Sequence, residues 1–82
     1  MTRQQQRALR DARKVYSGVL AFDLGDGRIL LSGERWPALA QDWFPVMFKV
    51  SPDGTRESVT DDLNLSHYLE DIRTGRYSRI TA

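Results

Sequence analysis

The residues best suited to metal or acid–base chemistry lie close together near the C-terminal end of the chain. His67 is the single histidine, and Glu70 and Asp71 follow it within four positions. On a helix these three side chains could offer two or three ligands to a metal ion. Because no second ligand cluster occurs elsewhere in the sequence, we predict that His67 is a solvent-exposed side chain, with no bound metal and no cofactor.

Two other combinations have the residue types of hydrolytic enzymes. Ser66, His67 and Asp71 could form a catalytic triad, but adjacent helical positions point about 100° apart. Asp53 and Glu57 match the opening of a common nuclease signature, whose required basic residue is missing. The chain has no cysteine and no glycine-rich phosphate loop, which excludes thiolate chemistry and nucleotide motifs. We therefore predict that the protein is not an enzyme, and we rank last a ribonuclease that would use His67, Arg76, Tyr77 and Arg79.

The first sixteen residues carry the strongest positive signal, with five basic groups against one acid. A narrow stripe on one side of a helix is predicted from the i, i+4, i+7, i+11 spacing of four of them, Arg3, Arg7, Arg10 and Lys14. The basic side chains of such a stripe could contact successive phosphates of a nucleic-acid backbone. Nucleic-acid binding is therefore our alternative hypothesis. A solvated helix face or a protein contact is favoured over it, because the stripe has no interleaved aromatic residues and the acidic middle of the chain opposes the approach of nucleic acid.

Helical periodicity predicts the two elements that position these groups. The first helix spans residues 4–16, and one side of it is formed by Leu9, Ala12 and Tyr16, with Ala8 and Val15 beside them. The second helix spans about 62–74, with a shared apolar face formed by Leu65, Tyr68, Leu69 and Ile72.

Two hairpins and a last short strand are predicted from β-rich runs separated by turn residues. The first hairpin joins residues 18–24 to 28–33 through Gly25-Asp26-Gly27, and the second joins 44–51 to 55–60 through Pro52-Asp53-Gly54. A final strand covers residues 76–81. In the third strand Val46, Phe48 and Val50 alternate with polar or flexible residues, so we expect its other face, which includes Met47 and Lys49, to be in water.

The order of these elements predicts one compact α+β domain over residues 1–82. We expect a mainly antiparallel sheet of four to five strands, from two hairpins plus a C-terminal strand, covered by the N-terminal helix and a second helix. No apolar run is long enough to cross a bilayer and no signal peptide is expected, so we expect a cytoplasmic protein with no membrane contact.

Ten acids and four basic groups lie between residues 17 and 71, so the middle of the chain is acidic. Turns and helix ends use Asp for conformational reasons, which predicts such a role for at least half of these acids. An acidic patch could also compete with nucleic acid for a basic protein surface.

Residues 36–48 concentrate the aromatic side chains. The i, i+3, i+4, i+7 spacing of Trp36, Leu39, Ala40 and Trp43 predicts one or two helical turns between the hairpins. Tryptophan is favoured as an interface anchor. We therefore predict a partner-binding surface formed by Trp36, Trp43, Phe44, Asp42 and Glu34.

A small non-enzymatic binding protein that acts by protein–protein contact is the function that these patterns favour. A regulator, an adaptor or a phage-type inhibitor of a host defence system would fit this size and character, and the same surface could form a homodimer. The alternative is a nucleic-acid-binding protein that uses the basic side of the first helix.

Overall fold

The protein contains two helices and five strands in the order α1, β1, β2, β3, β4, α2, β5. A computed structural model describes residues 1–35 and 44–81. The helices are α1 (Arg3–Val15) and α2 (Asp62–Arg73). The strands are β1 (Ser17–Asp23), β2 (Ile29–Arg35), β3 (Phe44–Val50), β4 (Arg56–Ser58) and β5 (Ser78–Ile80). The α+β class predicted from the sequence is confirmed.

The five strands form one antiparallel sheet in the order β4-β3-β2-β1-β5. The first four strands are consecutive neighbours, and β5 returns to the free side of β1. The central pair is the longest, since β2 and β3 are in register from Ile29 opposite Val50 to Arg35 opposite Phe44. The two edge strands each pair over three residues.

Side chains of the sheet alternate between two apolar layers. One layer joins Ala21, Ile29, Leu31 and Val50 to the α1 residues Ala8, Leu9 and Ala12. The other joins Phe22, Leu30, Met47 and Val59 to the α2 residues Leu65, Tyr68 and Ile72. The two helices therefore cover opposite faces of the sheet.

The predicted water-facing side of β3 is wrong. Met47 is 1% exposed, because α2 packs over this face. Lys49, two residues along, is also partly covered, and its ammonium group reaches Glu57 on β4 at 3.6 Å. The aliphatic part of a lysine can line an apolar layer while its charge remains near water.

A complete capping box begins α1. The Thr2 side chain accepts the main-chain N–H of Gln5, and the Gln5 side chain accepts the main-chain N–H of Thr2. The helix ends at Val15, because Tyr16 is already extended. Val15 was predicted to lie on the packing side and is 70% exposed, so that prediction is wrong.

The predicted turns are confirmed by positive φ angles at their glycines. Gly25 and Gly27 have φ of 86° and 90° in the first hairpin, and Gly54 has φ of 91° in the second. L-residues with a side chain rarely adopt these angles.

The second helix, α2, is less buried than α1. Asp61 caps its N-terminus by accepting the N–H groups of Leu63 and Asn64. Its apolar face is half-buried, and none of its residues is fully buried. Leu69, predicted to share that face, is 41% exposed, because it lies at the margin of the apolar arc.

The short helix predicted between the hairpins lies outside the described residues. Neither α1 nor α2 is long and apolar enough to cross a membrane.

Candidate interaction surfaces

Hydrogen bonds join the first turn of α1 to both hairpins, and they fix the orientation of the helix on the sheet. Gln5 is 1% exposed, and its Nε2 donates to the main-chain oxygens of Gly27, at 2.8 Å, and Val50, at 3.1 Å. Its Oε1 accepts the N–H of Thr2 at 2.9 Å, and the Thr2 hydroxyl donates to the main-chain oxygen of Pro52 at 2.6 Å. Because a buried polar group is costly unless it is paired, this network holds α1 in one orientation.

The side of α1 that faces away from the sheet is basic along its whole length. We call this the basic face; its exposed side chains are those of Arg3, Arg7, Arg10 and Lys14. Its predicted exposure is confirmed, since the opposite side of α1 packs on the sheet. With a rise of about 1.5 Å per residue, the basic face is about 16 Å long.

The positive charge of the basic face is not neutralised by neighbouring side chains of the described chain. In residues 1–35 and 44–81 there are four ion pairs, namely Arg28–Asp26, Lys49–Glu57, Arg73–Glu70 and Arg76–Asp71. None of them involves α1. Asp11, the one acid of the helix, is half-buried and lies in none of these pairs. The charge therefore remains available to a partner.

Acidic side chains are used at turns and at a helix end. Asp23, Asp26 and Asp53 each accept a main-chain N–H two residues ahead, and Asp61 caps α2. Together with Asp62 in the first turn of α2, they make up half of the ten acids between residues 17 and 71. The predicted conformational role is confirmed for these five.

Two of these turns also lower the pKa of their carboxyl groups. The side chain of Arg28 and then its main-chain N–H hold the pKa of Asp26 below its usual range. The main-chain N–H of Thr55 does the same for the pKa of Asp53.

The two helices carry net charges of opposite sign. On one face α1 contributes five basic groups and a single acid. On the other, α2 contributes three acids, Asp62, Glu70 and Asp71, and a single basic group, Arg73. The basic helix and the acidic helix therefore lie on opposite faces of the sheet.

A partly exposed aromatic pair lies at the end of the sheet where α1 stops. The rings of Tyr16 and Phe48 are 5.7 Å apart and tilted by 39°, and both residues are half-buried. The same end of the sheet carries the half-buried Val46 and the exposed Arg35 and Pro45, and all five residues line one depression of about 350 Å³. We call these five residues, with the neighbouring Glu34, the sheet-end surface.

The predicted partner-binding residues belong to this end of the sheet in part. Glu34 is exposed near the end of β2. Phe44 begins β3 opposite Arg35. Trp36, Asp42 and Trp43 lie outside the described residues, as does the side chain of Phe44. Sequence reasoning missed Tyr16, because helical periodicity assigned it to the core, and it did not reveal the contact of Tyr16 with Phe48.

The parts of β3 and β1 that extend beyond the short edge strands β4 and β5 carry features that discourage the addition of another strand. The main-chain oxygen of Met47 accepts the N–H of Val59 on the β4 side, so Pro45, two residues before it, also directs its main-chain groups to that side. Proline has no N–H to donate. At the other edge, the register of β1 shifts between Ser17 and Leu20, where Gly18 has φ of 60°. Short strands, proline and bulges of this kind discourage edge-to-edge pairing.

The structure brings only some of the residues considered for chemistry together. His67 is exposed on α2, as predicted, and makes no hydrogen bond or ion pair with a described residue. The Tyr77 hydroxyl donates to Asp71 at 3.2 Å, and Arg76 pairs with the same carboxylate at 3.6 Å. Burial, and then the hydrogen bond to Asp71, raises the pKa of the Tyr77 phenol, so it stays protonated near neutral pH.

A small polar cleft of about 170 Å³ lies at the N-terminal end of α2, lined by residues that include Lys49, Asp61, Asn64 and Tyr68. Its charged groups are already engaged, because Lys49 pairs with Glu57 and Asp61 caps the helix. Among the described residues, each buried side-chain polar atom has a hydrogen-bond partner. The described lining of the cleft therefore presents no buried side-chain polar atom that lacks a partner.

Comparison with known proteins identifies no relative of this chain: no family model, no curated protein and no solved structure matches it.

Proposed function

We propose that this protein is a small non-enzymatic binding protein that acts by protein–protein contact, as a regulator, an adaptor or a phage-type inhibitor of a host defence system. The observation that carries the proposal is the sheet-end surface. Its centre is the half-buried aromatic pair of Tyr16 and Phe48, and its rim is formed by the exposed Glu34, Arg35 and Pro45. An apolar aromatic centre with a polar rim, in which Arg and aromatic residues are frequent, is typical of protein interfaces.

The sequence has two tryptophans next to residues of this surface. Trp36 directly follows Arg35, and Trp43 directly precedes Phe44. Aromatic side chains provide a large contact area for few rotatable bonds and are frequent among the residues that dominate binding energy.

The mode of contact follows from the edges of the sheet. Because Pro45 removes a donor from β3 beyond β4 and the register of β1 shifts between Ser17 and Leu20 beyond β5, we expect the partner to bind through side chains and not by adding a strand. Binding should then depend on the residues of the sheet-end surface.

The test is capture of partners from native lysate treated with nuclease, by tagged wild-type protein and by two matched charge reversals. Arg35→Glu changes the sheet-end surface, and Arg79→Glu makes the same change at an exposed position of β5. We expect a discrete protein to be retained by wild type and by Arg79→Glu, and to be lost with Arg35→Glu. Equal capture by all three proteins, or loss of every partner on nuclease treatment, would contradict the proposal.

A second set of variants separates the proposed surface from the one histidine. We expect Trp36→Ala or Trp43→Ala to cost the partner complex about 2 kcal/mol, or about 30-fold in Kd, while the protein stays folded. His67→Ala should leave capture unchanged. If His67→Ala abolishes capture while both tryptophan variants retain it, the proposed surface is wrong.

A further inference from the structure

We propose that the basic face of α1 binds the phosphate backbone of a nucleic-acid duplex without reading its base sequence. This inference does not depend on the proposed function, because it concerns a different surface. The basic face lies on the outer side of α1, whereas the sheet-end surface begins where α1 stops, at Tyr16.

The first argument is the availability of charge. Arg3, Arg7, Arg10 and Lys14 are exposed, and within residues 1–35 and 44–81 none of them forms an ion pair. A phosphate that approaches this side therefore does not have to displace an internal carboxylate of the described chain.

The second argument is the separation of charges. An acidic chain middle would repel nucleic acid if its carboxylates surrounded the cations. Instead Asp62, Glu70 and Asp71 belong to α2, on the opposite face of the sheet. Two acidic turns lie near the start of α1: Asp26 is paired with Arg28 at 2.7 Å, and Asp53 accepts the N–H of Thr55. Against them and Asp11, α1 carries five basic groups. The field above α1 is therefore positive, and it attracts polyanions.

The third argument is the chemistry of the cations. Three of the four are arginines, whose planar guanidinium presents a fork of donors that matches the oxygens of a phosphate. They recur about once per helical turn over about 16 Å. This length is comparable to the rise of about five base pairs along the axis of a duplex. Phosphate contacts of this kind position a protein on a duplex but carry no sequence information.

A lipid surface is a poorer fit for the same face. Interfacial helices insert an apolar side into the bilayer. The apolar side of α1 is already buried, with Ala8, Leu9 and Ala12 between 3% and 5% exposed, and Gln5 locks the helix to the hairpins. The helix cannot turn its apolar side outward without losing the core.

The test is fluorescence anisotropy with a labelled DNA duplex and a labelled RNA duplex of random sequence, over a series of salt concentrations. Four phosphate contacts predict a slope of log K against log salt of about −3 to −4. We expect binding at low salt with this slope, weak binding at physiological salt, and no difference between unrelated sequences. The two duplexes distinguish DNA from RNA as the source of the phosphates.

The matched variants each remove three arginines. Arg3→Gln/Arg7→Gln/Arg10→Gln changes the basic face, and Arg73→Gln/Arg76→Gln/Arg79→Gln makes the same change of net charge near α2 and β5. All six arginines are exposed, so thermal melting should confirm that both variants remain folded. We expect the first variant to lower the magnitude of the slope to about 1 and the second to leave it unchanged.

Three outcomes would overturn the proposal. Equal weakening by both variants would show that net charge, and not the basic face, attracts the duplex. Equal affinity of wild-type protein for poly-glutamate would show that the face binds any polyanion. Absence of duplex binding together with a salt-sensitive dimer, lost in the first variant, would show that α1 pairs with the acidic face of a second copy.

Discussion

The side-chain amide of Gln5 in α1 donates to the main-chain oxygen of Val50 at the end of β3, 45 positions along the chain. The same Nε2 also reaches Gly27, so one side chain joins the helix to both hairpins. Gln5→Met keeps the approximate volume but removes the two hydrogen bonds that the side chain donates, to Gly27 and to Val50. We expect the free energy of unfolding to fall by about 1–3 kcal/mol.

Gln6 provides the control for this change, since it is exposed in the same helical turn. Gln6→Met should change stability by less than about 0.5 kcal/mol in urea denaturation. Equal losses in the two variants would mean that the hydrogen bonds of Gln5 contribute nothing specific.

The orientation of α1 predicts a large difference between two apolar truncations on that helix. Leu9 is 3% exposed and Val15 is 70% exposed. Leu9→Ala should lower the free energy of unfolding by about 2–4 kcal/mol, while Val15→Ala and the basic-face substitution Arg7→Ala should stay within about 0.5 kcal/mol. Thermal melts showing the reverse order would mean that the helix is turned the other way.

Alanine substitutions at two turn glycines distinguish the cost of backbone strain from the cost of a steric contact with α1. Gly25 and Gly54 both have positive φ, so an alanine at either position costs about 1–2 kcal/mol. A Cβ at Gly25 would meet nothing within 4 Å, whereas one at Gly54 would lie 3.0 Å from the Cβ of Gln4. We therefore expect Gly54→Ala to be the more destabilising, by about 1–3 kcal/mol in denaturant titration; equal costs would show that α1 accommodates the added methyl group.

Acid sensitivity follows from the lowered pKa values of Asp26 and Asp53. Because the unfolded chain then binds protons more readily than the folded protein, the stabilisation exists above the ordinary carboxyl pKa of about 4 and is lost as the pH falls through the folded-state values. Urea midpoints measured from pH 6 to pH 2 should show this loss. The variant Asp26→Asn/Asp53→Asn should show a shallower decline, and an unchanged decline would assign the acid sensitivity to other groups.

Much of the fold was predictable because local patterns agree with it. The helix predicted from the spacing of Leu9, Ala12 and Tyr16 nearly coincides with α1. The turn predicted at Pro52-Asp53-Gly54 lies between β3 and β4. Periodicity gives the direction of a side chain but not the depth of its burial, so Val15 was misplaced. The covered face of β3 was missed because α2 packs there through contacts distant in sequence, which alternation within one strand does not reveal.

The candidate surfaces were predictable to different degrees. The basic face follows from the pattern, because charges opposite an apolar stripe must be exposed once that stripe is buried. The pairing of Tyr16 with Phe48 depends on where α1 ends and on the register that places Phe48 opposite Leu31. Gln5 is indistinguishable in sequence from Gln4 and Gln6, and only the approach of two hairpin ends gives it a role.

The unequal burial of the two helices has a consequence for hydrogen exchange. No residue of α2 is fully buried, and β5 holds β1 over three residues, whereas β2 and β3 pair over seven. Partial opening of residues 62–80 therefore costs less free energy than unfolding of the central strands. Amide protons of α2 and β5 should exchange with deuterium through this local opening, while those of Leu30 and Leu31 should exchange only when the whole molecule unfolds.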